Sequence, residues 1–197
     1  MFIVFEGLDG SGQSTQAELL YEYLISRGKK VLLTKEPTNT IFGGIAKSCL
    51  KKELNLSPMT LQLLFATDRS HHLEKEILPA LETGKIVISD RYFFSSIAYG
   101  SLDVEMDFLM KINSKFKVPD LIFFLDVPPK VCIKRISNSR NGFELFEEEK
   151  KLEKVRENYL KIWSKFKNVF KIDGTKEKEK VFEEIREIID KKVFKEK

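Results

Sequence analysis

The sequence predicts an α/β fold in which a five-stranded parallel sheet is flanked by helices on both faces, giving three layers. Three observations carry this reading. Five short apolar, β-rich runs recur along the chain, each is followed by a segment of helical character, and the first leads directly into a glycine-rich turn. Strands that alternate with helices build parallel sheets, because each return to the sheet needs a crossover that covers one of its faces.

The runs are Phe2 to Phe5, Val31 to Leu33, Ile86 to Ile88, Leu121 to Leu125 and Val169 to Ile172. Between and after them, helices are expected at about 14–27, 41–52, 58–82, 104–116, 129–137, 147–167 and 176–192. Ser57-Pro58 supplies a helix start, and Asp173-Gly174 supplies a turn after the last run. At 197 residues and 42% hydrophobic content, the chain suits one compact domain spanning 1–197, and no repeat or linker divides it. The polar stretch Ser137-Asn-Ser-Arg-Asn-Gly142 is the one conspicuous interruption. Ligands of such sheets gather at the carboxyl ends of the strands, so the residues just after each run are the ones to inspect.

Composition excludes several classes. No stretch approaches the ~20 apolar residues of a membrane-spanning helix, and Phe2-Ile-Val-Phe5 is too short for a signal peptide's core, so a soluble cytoplasmic protein without a membrane partner is expected. The net charge of +4 comes from interspersed Lys and Glu, as in Lys176-Glu-Lys-Glu-Lys180, which suits a solvated helix face and not nucleic-acid binding. Cys49 and Cys132 lack a C-x-x-C partner, and His71 and His72 point to different helix faces, so neither pair implies a metal site. His71 and His72 are expected at the surface or in packing. Only seven of the 34 basic residues are Arg, and a guanidinium fork grips phosphate in two places where an ammonium cannot.

After the first run comes Gly7-Leu-Asp-Gly-Ser-Gly-Gln-Ser-Thr15, with the glycine spacing of the phosphate-binding pattern G-x-x-x-x-G-K-[ST] and a helix behind it. Glycines let backbone N–H groups converge on a phosphate chain, and the helix start adds a favourable dipole. The residues assigned to ATP are Gly7, Leu8, Asp9, Gly10, Ser11, Gly12, Gln13, Ser14 and Thr15, with the Ser14 hydroxyl on Mg²⁺. Gln13 stands where the pattern has Lys. A neutral amide donates hydrogen bonds but supplies no charge, so slower transfer or weaker ATP binding than in a Lys version is expected. A glycine-rich turn without a ligand, or a loop that binds nucleotide without turnover, would leave the same pattern.

Three more segments, read with that loop, resemble the thymidylate kinase family. They are Leu63-Leu-Phe-Ala-Thr-Asp-Arg69, Ile88-Ser-Asp-Arg-Tyr-Phe-Phe-Ser-Ser-Ile-Ala-Tyr99 and Pro119-Asp-Leu-Ile-Phe-Phe-Leu-Asp-Val-Pro-Pro129. The resemblance runs from Phe2 to about Ile189 and implies a three-layer P-loop kinase fold, a homodimer, and transfer of the γ-phosphoryl of ATP to dTMP with Mg²⁺. It implies that Phe65 stacks on the pyrimidine and Arg69 donates to its carbonyl. Arg91 grips the acceptor phosphate, Ser95 lines the pocket, Tyr99 crowds the 2′ position, Asp9 contacts the 3′-hydroxyl, and Asp90 lies near the metal. Asp126 is expected to be an end-of-strand acid. A lid at 137–147 that closes over ATP is implied, with Arg135, also assigned to ATP, and Arg140 brought to the transferring group; Asp9, Gln13, Arg91 and Arg140 form the catalytic set.

The chain departs from the family's pattern at Gln13, at Lys35 of Thr34-Lys-Glu-Pro37, where the family has Arg, and at Glu144-Leu145, where it has an acid followed by Arg. A related nucleotide or deoxynucleoside kinase, or a catalytically impaired nucleotide-binding protein, are the alternatives.

Overall fold

The computed structural model describes residues 1–136 and 142–194, with 142–147 as backbone. Its strands β1 (Phe2–Gly7), β2 (Val31–Lys35), β3 (Ile86–Asp90), β4 (Leu121–Asp126) and β5 (Val169–Asp173) pair in parallel in the order β2-β3-β1-β4-β5. Each expected run is a strand, and each continues one or two residues further at its carboxyl end. The sequence reading stops at the last apolar side chain, whereas backbone pairing goes on through Glu6, Gly7, Lys35, Asp90, Asp126 and Asp173. The carboxyl edge of the sheet is therefore polar, and β1 sits at its centre.

The helices are α1 (Gln13–Ser26), α2 (Ile41–Leu50), α3 (Pro58–His72), α4 (Leu78–Glu82), α5 (Phe93–Gly100), α6 (Met106–Asn113), α7 (Pro129–Ile136), α8 (Gly142–Trp163) and α9 (Lys178–Ile189). Ser57 caps α3 by accepting from the Thr60 amide at 3.1 Å, with Pro58 at the first turn. The single helix expected over 58–82 contains a π turn, Leu73–Ile77, before α4. Pro79 has no N–H and its ring crowds the carbonyl four residues back, and the widened turn accommodates both.

Helix α5 lies where none was expected. Phe93, Phe94, Ser96, Ile97, Ala98 and Gly100 are all buried, so α5 shows no polar face and no amphipathic period to read. It packs with α8 on one side of the sheet, against Phe2, Val4, Ile122 and Phe124. Helices α1 and α9 cover the other side, where Leu20, Leu24, Ile185 and Ile189 meet Ile3, Phe5, Ile88 and Phe123. The alternation of odd and even β1 residues between the two cores is the period of two that a strand buried on both faces imposes.

Candidate functional site at the carboxyl edge of the sheet

Strand β1 ends in a loop that turns into α1 within five residues. Gly10 and Gly12 adopt φ of 82° and 95°, the left-handed region that side chains disfavour, and a Cβ at Gly10 would stand 2.6 Å from the Cys132 carbonyl. Helix α7 thus presses on the loop and holds its curve. The Ser11 amide donates to the Leu8 carbonyl at 2.9 Å, which closes the turn. Gln13 is 5% exposed, and its Oε1 accepts from the Ser11 hydroxyl at 3.1 Å. The side chain in the lysine's place is folded onto the loop and brings no positive charge. Arg135, on the last turn of α7, donates to the carbonyls of Ser11 at 3.4 Å and Gly174 at 3.0 Å.

Ser14 Oγ donates to Asp90 Oδ2 at 2.5 Å, across 76 residues of sequence. The other oxygen, Asp90 Oδ1, is buried without a partner, so this pair leaves a hard oxygen ligand unspent at the loop. That donor set fits Mg²⁺, which takes one or two carboxylate or hydroxyl oxygens and fills its remaining positions with water and phosphate. Among the described residues no group of three or more His, Cys, Asp or Glu gathers as a metal cage.

Beside the loop a cavity of about 420 Å³ opens between α3 and α5. Asp9, Phe65, Arg69, Arg91, Ser95 and Tyr99, singled out on sequence grounds, all line it, and Asp90 stands at its edge. Arg91 has φ 73°, a left-handed backbone for a residue with a side chain, and the turn after β3 aims its guanidinium back over β1. Its Nη2 donates to Asp9 Oδ1 at 2.6 Å and its Nη1 to Ser95 Oγ at 2.8 Å, while the group lies 5.6 Å from the Tyr99 ring centre. Tyr99 Oη accepts from the Asp9 amide at 2.9 Å, and burial pushes its pKa up, so the phenol stays neutral.

Arg69 is 2% exposed and held almost entirely by protein. Its Nε donates to Glu36 at 2.8 Å, Nη1 to Asn113 at 2.7 Å and Nη2 to Ser96 at 2.9 Å. Glu36 also meets His72 Nδ1 at 3.1 Å, and His72 Nε2 lies 2.8 Å from Thr34 Oγ1 and 3.1 Å from Glu76. His72, expected at the surface or in packing, is packed inside as a buried hydrogen-bonding centre, while His71 turns toward Phe42 at 5.3 Å between rings. Asp126 is likewise more than a strand terminus. It takes a two-pronged grip from Arg156 at 2.6 and 2.9 Å and meets Lys171 at 2.7 Å, and these hold its pKa low against the rise from partial burial. Lys35 is exposed and borders a second hollow, of about 640 Å³, on the other side of Ser14 and Asp90.

Sequence reasoning missed four side chains here. Glu6 is fully buried at the end of β1, and burial, partly offset by Arg91 and by hydrogen bonds from Ser95, Tyr159 and Tyr92, pushes its pKa up to about 7. A lone acid ending an apolar strand before a glycine loop was a visible signal. Tyr159, on α8, is a partner of Glu6 at 2.9 Å, and Ser96 is a partner of Arg69. Gln62 is one turn before Phe65 on α3, 7% exposed, and lines the cavity with a buried Oε1 that has no partner. The predicted lid at 137–147 and Arg140 lie outside the described residues, apart from the backbone of 142–147.

A parallel sheet with a phosphate-type loop after its central strand, opposed across that edge by an arginine in a second cavity, defines the class of P-loop nucleotide kinases. The sequence comparisons narrow the class. The family profile described as Thymidylate kinase matches residues 5–185. A thymidylate kinase of Thermosipho melanesiensis is 42% identical over 195 residues, covering 96% of this chain and 98% of its own. A probable thymidylate kinase of Thermococcus kodakarensis is 41% identical over 199 residues, covering 96% and 97%, and a thymidylate kinase of Leptospira interrogans 39% over 191, covering 95% and 93%. This chain belongs to the thymidylate kinase family.

Proposed function

We propose that the protein transfers the γ-phosphoryl group of ATP to the phosphate of dTMP, giving ADP and dTDP by direct in-line displacement. What carries this is Arg91, whose one guanidinium is bonded both to Asp9 of the phosphate loop and to Ser95 of the acceptor cavity. A cation held between two anion sites offsets the repulsion that otherwise keeps two phosphates apart, and positioning plus such neutralisation is most of what phosphoryl transfer needs.

In this mechanism the loop amides from Gly7 to Thr15 cradle the donor's phosphates, and Arg91 holds the acceptor's phosphate. Phe65 stacks on the thymine with Arg69 at its edge, Asp9 receives the 3′-hydroxyl, and Tyr99 fills the space a 2′-hydroxyl would need. Ser14 and Asp90 would hold Mg²⁺, which when bound would neutralise charge on the donor phosphates. Gln13 orients by hydrogen bonding without adding charge. Arg135, already anchored to the loop at Ser11, and Arg140 of the 137–147 lid come to the transferring group on closure, which keeps water out. The protein works as a cytoplasmic homodimer formed from one domain, and the exposed apolar side chains Ile41 and Leu50 of α2 and Met59 and Leu63 of α3 suit a helical interface.

A coupled assay of ADP release tests this, with dTMP expected to be preferred over CMP and AMP. Arg91→Ala should lower kcat/KM for dTMP by about 100-fold or more, the loss of a two-pronged charge-assisted contact. ATP bound tightly but not turned over with dTMP would overturn the proposal.

A further inference from the structure

Glu6 has no part in the mechanism above, yet it lies under its central residue. Its side chain is fully buried and accepts four hydrogen bonds. Oε1 accepts from the amides of Tyr92 at 2.9 Å and Ser95 at 3.3 Å, and Oε2 from Ser95 Oγ at 2.5 Å and Tyr159 Oη at 2.9 Å. The Ser95 hydroxyl is the hinge of this arrangement. It has a single proton, and the short contact to Glu6 takes it. Its lone pairs are then turned to Arg91 Nη1, 2.8 Å away. If Glu6 did not accept that proton, the hydroxyl could rotate toward Tyr159 Oη, 2.9 Å away, or toward the guanidinium, which has no acceptor to meet it, and its lone pairs would no longer be held on Arg91.

We propose that Glu6 is a positioning residue for the acceptor phosphate: by orienting the Ser95 hydroxyl it fixes the direction in which Arg91 is presented to the cavity. The proposal rests on Arg91 as the grip on that phosphate. Two features favour it over a purely structural role. A carboxylate in this place is costly to bury, and that burial pushes its pKa up to about 7. The four bonds also converge on this end of β1 from three elements, the β3–α5 turn, α5 and α8, so the carboxylate ties the residues that flank Arg91 to α8.

The test is a double-mutant cycle on the full chain at pH 8, with steady-state kinetics for both substrates and a thermal midpoint for each variant. Glu6→Gln should lower kcat/KM for dTMP by about 10- to 100-fold, the range of one charge-assisted hydrogen bond, with KM for ATP within about twofold of its starting value. In an Arg91→Ala background the same change should cost less than about twofold, because residues that act through one another are not additive. Equal loss in both backgrounds, or a matching rise in KM for ATP, overturns the role given to Glu6 and leaves Arg91's intact. Unaltered dTMP kinetics in Arg91→Ala would instead bring down the Arg91 assignment and this one with it. Should Glu6→Gln fail to fold, Tyr159→Phe carries the test: removing one donor to Oε2 should lower kcat/KM for dTMP about 3- to 10-fold, and no change overturns the proposal.

Discussion

Glu6 makes a quantitative prediction about stability as well as rate. Its pKa is raised from 4.5 to about 7 in the folded protein, chiefly by burial. The sign follows from proton counting: between these values the folded state holds a proton that the unfolded chain has lost, so stability falls as pH rises through this window. The full difference corresponds to about 3 kcal/mol, of which roughly 2 to 3 kcal/mol falls between pH 5 and pH 8. Glu6→Gln cannot ionise and so escapes this loss. Urea unfolding at pH 5 should give the two proteins similar stability, within about 1 kcal/mol, and at pH 8 the variant should be the more stable by about 2 to 3 kcal/mol. For a chain of this length that is a rise in Tm of about 5–10 °C at pH 8. Two stability profiles that stay parallel from pH 5 to pH 8 would refute the claim that a costly carboxylate is buried there. With the kinetic loss proposed above, the variant would be the slower enzyme and the sturdier protein.

Two further outcomes follow from side chains near the loop and the cavity. Gln13→Lys removes the bond from Ser11 to the amide but adds a cation beside the donor phosphates, so kcat should rise about 10-fold while stability without nucleotide falls by about 1 kcal/mol. A fall in kcat would mean that the loop has adapted to the amide. Gln62→Leu replaces a buried oxygen that has no partner with an apolar group of similar size, and should stabilise the nucleotide-free protein by about 1 kcal/mol in urea unfolding. A loss of stability there would show that the amide is satisfied in solution.

Short-range relations along the chain were enough to mark the five strands, the glycine loop and the Asp90-Arg91 turn, because period, φ requirement and strand ends are properties of neighbouring residues. Phe65 and Arg69, one turn apart on α3, were singled out by the family resemblance, since their spacing alone fits a packed core as well. Helix α5 was not, since a segment buried on every side has no polar stripe to set its period. Nor was the spending of the Arg69 guanidinium on Glu36, Asn113 and Ser96, or the rank of Glu6 among the buried groups. The bonds from Ser95 and Tyr159 to Glu6 cross 89 and 153 residues of chain. Sequence by itself determined which residues could carry charge, bend backward or cover the sheet. Only the tertiary structure decided which of those charges are already satisfied by protein and which are left for a ligand, because desolvation and hydrogen-bond partners depend on what packs alongside, and distance along the chain says nothing of that.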